Sequence, residues 1–177
     1  MNKESRLMDM LVGYASAHQH PVNIAVHMIG IPTIMLGAFI PLTWITLQVE
    51  GITINLAELG LVVMFIFYLT LDWRFAIVFL VLGMVIAQLA AVLGTLPRPT
   101  AAIIAIAGFL GGFILQFIGH AVERTMPVLV RHPLQAGLSA PFFAVVELFK
   151  LLGLRRTLFD DVQRRIAELR ERQAGST

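Results

Sequence analysis

The stretch HQHPVNIAVHMIGIPTIMLGAFIPL, residues 18–42, decides the fold of this chain. It begins with three of the chain's five histidines, His18, His20 and His27, and continues as a run of residues that is apolar enough to lie in lipid. A helix that crosses a bilayer needs about 20 mostly apolar residues. Ionisable side chains at membrane depth are costly, and they mark a functional site by default. The stretch therefore predicts a membrane-spanning helix with a binding site at its first turns.

The composition of the 177-residue chain is that of an integral membrane protein. Hydrophobic residues make up 58% of it and charged residues 14%, and its mean hydropathy is +0.82. Soluble domains are about half apolar and about one quarter charged. Cysteine is absent, so a metal ion would need ligands from His, Asp, Glu or the backbone. Membrane lipids are the expected surroundings, nucleic acid is not expected as a partner, and the sequence does not define an oligomeric state.

Four apolar segments predict an all-α polytopic membrane bundle with four transmembrane helices. The segments are residues 22–47, 56–71, 75–96 and 100–118. The first contains Pro32 and Pro41, whose kinks neighbouring helices can tolerate in a membrane.

The two ends of the chain predict amphipathic helices. Residues 4–17 place Leu7, Met10, Leu11 and Tyr14 at helical spacing, which predicts a helix on the membrane surface. We interpret residues 139–154 as an interfacial or re-entrant helix, because Glu147 and Lys150 interrupt an apolar run. The amphipathic pattern of residues 156–172 predicts a surface-lying or solvated helical tail, residues 156–177, of a single membrane domain, residues 1–177.

Basic residues predict the orientation. Of the 13 Lys and Arg residues, only Arg98 falls on the side of the membrane opposite the termini in a four-span topology. Cytoplasmic segments carry an excess of Lys and Arg, so both termini are predicted to be cytoplasmic. All five histidines then lie at the cytoplasmic end of the bundle.

The local sequence brings His18 towards His27. Pro21 suits the first position of a helix but not its interior, so the first span is predicted to start there and the chain to break just before it. Asn23 and His27 are four residues apart and share one helix face. We interpret Asn23 as a hydrogen-bond partner of the site, and His20 as a helix cap.

The fourth span supplies a second polar stripe, because Gln116, His120 and Glu123 are spaced four and three residues apart. The predicted site is composed of His18, His27, His120 and Glu123 as ligands, with Asn23 and Gln116 beside them, while His132 is interpreted as a hydrated loop residue. Imidazole and carboxylate without thiolate suit non-haem iron, zinc or manganese. The chemistry of the residues alone does not choose among these metals.

Three motifs carry a resemblance to a known family. They are Tyr14, His18, Pro21, Asn23, His27 and Pro32 in the first, QFIGHAVERTMP, residues 116–127, in the second, and APFF with Glu147, residues 140–147, in the third. Together they resemble the family of the fungal 2-hydroxy fatty acid dioxygenase, over about residues 8–155.

The resemblance implies an Fe²⁺-dependent membrane enzyme of fatty-acid α-oxidation. Such an enzyme cleaves a 2-hydroxy fatty acid with O₂, without 2-oxoglutarate, to CO₂ and the acid one carbon shorter. The histidines of the family fall on His18, His27 and His120 and its acidic residue on Glu123. Arg124 and Arg131 are candidates for binding the substrate carboxylate, and equally for contacting a lipid phosphate group. Two alternatives stay open, a zinc-dependent lipid-modifying hydrolase and a membrane scaffold that binds metal without catalysis.

Overall fold

The computed structural model describes residues 3–15, 18–125 and 133–174, and it confirms the predicted all-α membrane bundle. The helices are α1 Lys3–Ala15, α2 Pro21–Leu42, α3 Leu56–Leu69, α4 Trp73–Gly94, α5 Arg98–Glu123, α6 Pro133–Leu151 and α7 Arg156–Ala174. Three of them, α2, α4 and α5, have 22, 22 and 26 residues and are long and apolar enough to cross a membrane. The cytoplasmic location of both termini stays a prediction.

The end of the first span was predicted wrongly, whereas the second apolar segment begins at residue 56 as predicted. Helix α2 ends at Leu42, and an antiparallel hairpin follows, with β1 Thr46–Val49 and β2 Ile52–Asn55. Glu50 and Gly51 form its turn with φ values of 48° and 84°, as a tight hairpin turn requires. The largely apolar residues 43–49 continue the hydropathy of α2, so hydropathy alone did not indicate the change from helix to strand.

Helix α3 is shorter than a span. Its start is fixed by a capping box, in which the Asn55 side chain accepts from the Glu58 N–H and the Glu58 carboxylate accepts from the Asn55 N–H, both at 3.0 Å. Its 14 residues extend over about 21 Å, less than the roughly 30 Å of a hydrocarbon core. Helix α3 is therefore a short apolar helix beside the three long ones, and it returns the chain through the predicted all-α bundle.

Contacts at the two ends of the bundle show that successive helices run in opposite directions. At one end the Trp44 indole N–H donates to the Gly94 carbonyl at 3.1 Å, and the Arg98 guanidinium lies over the Trp44 ring. At the other end the Tyr68 hydroxyl donates to the Leu138 carbonyl at 2.7 Å. Helices α2, α3, α4 and α5 thus run alternately between the two ends.

Helices α2 and α5 form the closest helix pair, because glycines leave room between their backbones. A Cβ atom on Gly37 would lie 2.6 Å from the Ala105 carbonyl oxygen, and one on Gly112 would lie 2.7 Å from the Gly30 carbonyl oxygen. Small residues allow such close approach of membrane helices. The pair places the first turns of α2 beside the last turns of α5.

Helices α1, α6 and α7 pack together at the same end as those turns. Leu7 and Leu11 of α1 are buried, as are Val162 and Ile166 of α7. Protein therefore covers the apolar face of α1 that the sequence analysis assigned to the membrane surface. Helices α6 and α7 are bent by 115° at the break between them, the geometry of a broken span or a re-entrant segment.

Candidate metal centre

Three histidines from separate segments meet at one end of the bundle. His18 lies between α1 and α2, His27 on the second turn of α2, and His120 on the last turn of α5. Their ring centroids are 4.6, 4.8 and 5.0 Å apart in pairs, and one nitrogen of each ring lies within 4.8 Å of the others. All three side chains are buried. The structure therefore brings together the three histidines that the sequence analysis expected to converge.

The break before α2 makes this convergence possible. Pro21 is the first residue of α2, and His20 is its N-cap, with the His20 Nδ1 accepting from the Val22 N–H at 3.2 Å. Both features agree with the sequence analysis. Because the chain turns here, His18 lies back over α2 and its ring meets that of His27 edge to face.

Main-chain carbonyls fix the tautomers of two of the rings. His18 Nδ1 lies 2.8 Å from the Tyr14 carbonyl oxygen, and His27 Nδ1 lies 2.9 Å from the Asn23 carbonyl oxygen. A carbonyl oxygen can only accept, so each Nδ1 carries the proton and each Nε2 keeps its lone pair. The two Nε2 atoms nevertheless face each other at 3.3 Å. Two lone pairs at this separation repel, so the pair of rings is suited to a shared cation.

The distance between these two nitrogens fits one metal ion. Two nitrogens bound at about 2.1 Å are about 3.0 Å apart at a right angle and about 3.4 Å apart at a tetrahedral angle. The observed 3.3 Å lies between these values, so the distance is compatible with either geometry and does not identify the metal. Fixed Nδ1–H donors are also the usual way in which proteins orient metal-binding histidines.

The third imidazole has a comparable partner. His120 Nδ1 lies 2.9 Å from the Thr125 hydroxyl oxygen, just beyond the end of α5. This bond leaves the Nε2 atom of His120 as its ligand atom. Each of the three rings therefore has a partner at Nδ1, and each has Nε2 available.

Aromatic packing holds His18 in place. The Tyr14 ring stacks on the His18 ring at 3.9 Å and 11°, Phe143 of α6 also stacks on Tyr14 at 3.9 Å, and the ring centroids of Phe143 and His18 lie 5.4 Å apart. Burial lowers the pKa of His18 to about 3, because the charged ring would lose its solvation, and the nearby His27 and His120 lower it further. Burial likewise raises the pKa of Tyr14. His18 is therefore a neutral imidazole at physiological pH, the form that binds metals.

Glu123 lies beside the three histidines but outside their group of converging ligand atoms. One carboxylate oxygen accepts from the Gln19 backbone N–H at 2.6 Å, and the other accepts from the Asn23 side-chain amide at 2.5 Å. These bonds join the end of α5 to the loop that carries His18 and to the first turn of α2. The role of Glu123 as a ligand stays a prediction, while its observed contacts are those of a residue that positions the site.

Of the other predicted residues, His20 and Arg124 do not belong to the group of converging ligand atoms. His20 is exposed and acts as a helix cap. Arg124 is exposed at the left-handed residue that ends α5, and it does not line the cavity described below. Arg131 and His132 lie outside the described residues. The binding of a substrate carboxylate by either arginine stays a prediction.

An apolar cavity of about 180 Å³ leads away from the histidines. The three imidazoles, Tyr14 and Gln116 form its polar end. The remaining wall comes from four helices and consists of Ile31, Ile34, Met35, Ala38 and Phe39 of α2, Met64 of α3, Phe113 of α5, and Gly137, Ala140 and Pro141 of α6. Apolar walls with a few polar groups at one end suit an amphiphilic ligand.

Two residues that support the centre were not predicted from the sequence. Thr125 contacts the His120 ring, and Phe143 stacks on Tyr14. Thr125 follows His120 by five residues, so the signal was a hydroxyl just after the helix end. No sequence spacing relates Phe143 to Tyr14, because the two residues come from distant segments.

The fold and the site together define a class, that of an all-α membrane protein with a buried group of three histidines able to hold a metal ion. Comparison with known proteins identifies the family. The chain belongs to the Mpo1-like family of 2-hydroxy-palmitic acid dioxygenases, which matches residues 5–152.

One relative of known name is 2-hydroxy-palmitic acid dioxygenase MPO1 of Saccharomyces cerevisiae. The chain is 27% identical to it over 170 residues, which cover 93% of this chain and 94% of the yeast protein. No solved structure matches the chain. The resemblance seen in the three sequence motifs is therefore confirmed at the level of the family.

Proposed function

We propose that this chain is a membrane dioxygenase that uses Fe²⁺ held by His18, His27 and His120. It converts a long-chain 2-hydroxy fatty acid and O₂ into CO₂, water and the fatty acid one carbon shorter. The observation that carries this proposal is the pair of facing Nε2 lone pairs, 3.3 Å apart, at the polar end of an apolar cavity. Membership of the Mpo1-like family supports the reaction class.

The shape of the site suits an amphiphile with a chelating head. The acyl tail lies along the apolar wall, and the carboxylate and 2-hydroxyl lie at the histidines. Bound Fe²⁺ would supply the redox chemistry that reaction with O₂ needs and would leave positions for the two chelating oxygens. The 2-hydroxy acid itself gives up the four electrons that O₂ takes, so 2-oxoglutarate is not required.

The protein groups around the head position it and exclude water. The carbonyls of Tyr14 and Asn23 hold two imidazoles in the metal-binding tautomer, and the amide of Gln116 supplies donors beside the head group. Glu123 holds the His18 loop against the end of α5. The buried histidines and apolar lining keep bulk water from the reacting carbon, which favours electrostatic interactions within the site.

The test is product analysis by mass spectrometry. Protein purified without oxygen in detergent is stripped of metal, reloaded with Fe²⁺ or Zn²⁺, and given 2-hydroxypalmitate and O₂. Only the iron-loaded protein should release the 15-carbon acid, about one CO₂ should appear per O₂ consumed, and palmitate without the hydroxyl should not react. If folded, iron-loaded protein leaves 2-hydroxy acids of several chain lengths unchanged, the proposed activity is wrong.

A further inference from the structure

The apolar cavity has a definite far end. Along α2 its wall runs from His27 to Phe39, twelve residues apart in the sequence. At 1.5 Å per residue, this wall is about 18 Å long. Ala38 and Phe39 are the residues of α2 that lie farthest from the histidines in the lining, and Phe39 is buried.

The helix contacts beyond Phe39 close this end. The Trp44 indole donates to the Gly94 carbonyl, and a Cβ atom on Gly94 would collide with the Thr43 side chain. On the side of α5, the close contact of Gly37 with the Ala105 backbone leaves no space between the helices. A ligand tail that enters from the histidines therefore meets a floor at Phe39.

The length of the cavity matches an acyl tail. Bonds of about 1.5 Å at a near-tetrahedral angle advance an extended chain by about 1.25 Å per carbon. The fourteen carbons beyond the hydroxylated carbon of a 16-carbon acid thus extend over about 17.5 Å. This length matches the distance of about 18 Å from the histidines to the floor.

We propose that Phe39 and Ala38 form the floor of the acyl site and set the longest fatty-acid chain that the protein accepts. This inference rests on the proposed function, because it takes the chelating head to lie at the histidines. Removing the Phe39 ring deepens the site by about 4 Å, room for about three more carbons. Adding a leucine side chain at Ala38 fills the end and excludes about two carbons.

Phe39→Ala, Ala38→Leu and a control, Ile29→Ala, provide the test. Ile29 is on α2 but is 63% exposed and does not line the cavity. Two readouts are measured with acids of 10 to 22 carbons. One is displacement of a fluorescent fatty acid from metal-free protein by unhydroxylated acids, and the other is oxidation of the 2-hydroxy acids by iron-loaded protein.

The expected result is a shift of the length limit in opposite directions. The longest chain that Phe39→Ala accepts should be about three carbons longer than that of wild type. The longest chain that Ala38→Leu accepts should be about two carbons shorter, and Ile29→Ala should match wild type. If Phe39→Ala fails to fold, Ala38→Leu alone decides, because it removes no buried group.

The two proposals fail in different ways. An unchanged length limit in folded Ala38→Leu, with oxidation retained, overturns the floor and leaves the proposed function in place. A shifted limit in the displacement experiment without any oxidation supports the floor and overturns the activity. An unchanged limit in both readouts, without oxidation, overturns both.

Discussion

Replacing Gly37 by alanine tests the helix contact that holds the two halves of the centre together. The new Cβ would lie 2.6 Å from the Ala105 carbonyl oxygen and 2.9 Å from the Phe109 Cα, whereas ordinary contact begins at 3.4 Å. Both neighbours are backbone atoms and cannot rotate away. Helices α2 and α5 must therefore separate by about 1 Å, and these helices carry His27 and His120.

The expected loss of stability follows from this overlap. Overpacking costs about 1–3 kcal/mol, and contact with two backbone atoms points to the upper end of that range. Alanine regains up to about 1 kcal/mol through its better helix propensity. The net loss is then about 2 kcal/mol, which lowers the melting temperature of a chain of this size by about 4–8 °C. The affinity for metal should fall as well, because the ligands on the two helices move apart.

Gly111→Ala is the matched control, because a Cβ atom there meets nothing within 4 Å. It should melt at or slightly above the wild-type temperature and keep its metal. The assay is thermal unfolding in detergent followed by intrinsic fluorescence, with metal content measured on the same samples by mass spectrometry. If Gly37→Ala melts at the wild-type temperature, or if Gly111→Ala lowers the melting temperature as much as Gly37→Ala does, the reasoning about the helix contact is refuted.

Three further predictions concern the centre itself. Alanine at His27 or His120 should abolish metal binding, whereas alanine at the exposed His20 should leave the metal content near wild type; equal loss at all three would mean that the ligand set is wrong. Glu123→Gln should lower metal affinity by about 10–100-fold while the protein stays folded, as measured by competition with a chelating dye, since partners of ligand residues have effects of this size; unchanged affinity would exclude a positioning role. Because burial holds the pKa of His18 at about 3, below its ordinary value of 6.5, the unfolded chain binds a proton that the folded chain does not between these pH values. The melting temperature of metal-free protein should therefore fall as the pH is lowered from about 6.5 towards 3, and a melting temperature independent of pH in this window would contradict the burial of a neutral His18.

The parts of the fold that local rules determine were predictable from the sequence. Pro21 marked the start of α2, and helical spacing placed His120 on one face of α5. The hairpin after Leu42 was not predictable from hydropathy, because its strands continue an apolar run. The burial of Leu11 by protein was not predictable either. An amphipathic pattern shows that one helix face is apolar, but not whether lipid or protein packs on it.

The same distinction applies to the centre. The convergence of the three histidines was predictable because the order of the helices and the spacing along each helix follow from residue positions in the sequence. The partners at Nδ1 were not predicted, because two of them are main-chain carbonyls, which every residue carries. Only the geometry of the folded chain shows that the carbonyls of Tyr14 and Asn23 are those that His18 and His27 contact.

The donor set also has a consequence for the ligand. Among the described residues, the group of converging ligand atoms contains three imidazoles and no carboxylate. Neutral imidazoles bring no negative charge, and the neighbouring Glu123 carboxylate compensates at most one of the two charges of a divalent ion, so a charge stays unpaired in a buried site, where that is costly. A 2-hydroxy carboxylate brings negative charge and two oxygen ligands in one molecule, whereas an alcohol or an amide brings no charge. The proposed centre therefore favours an anionic chelating head for electrostatic reasons, and it does so independently of the length of the tail.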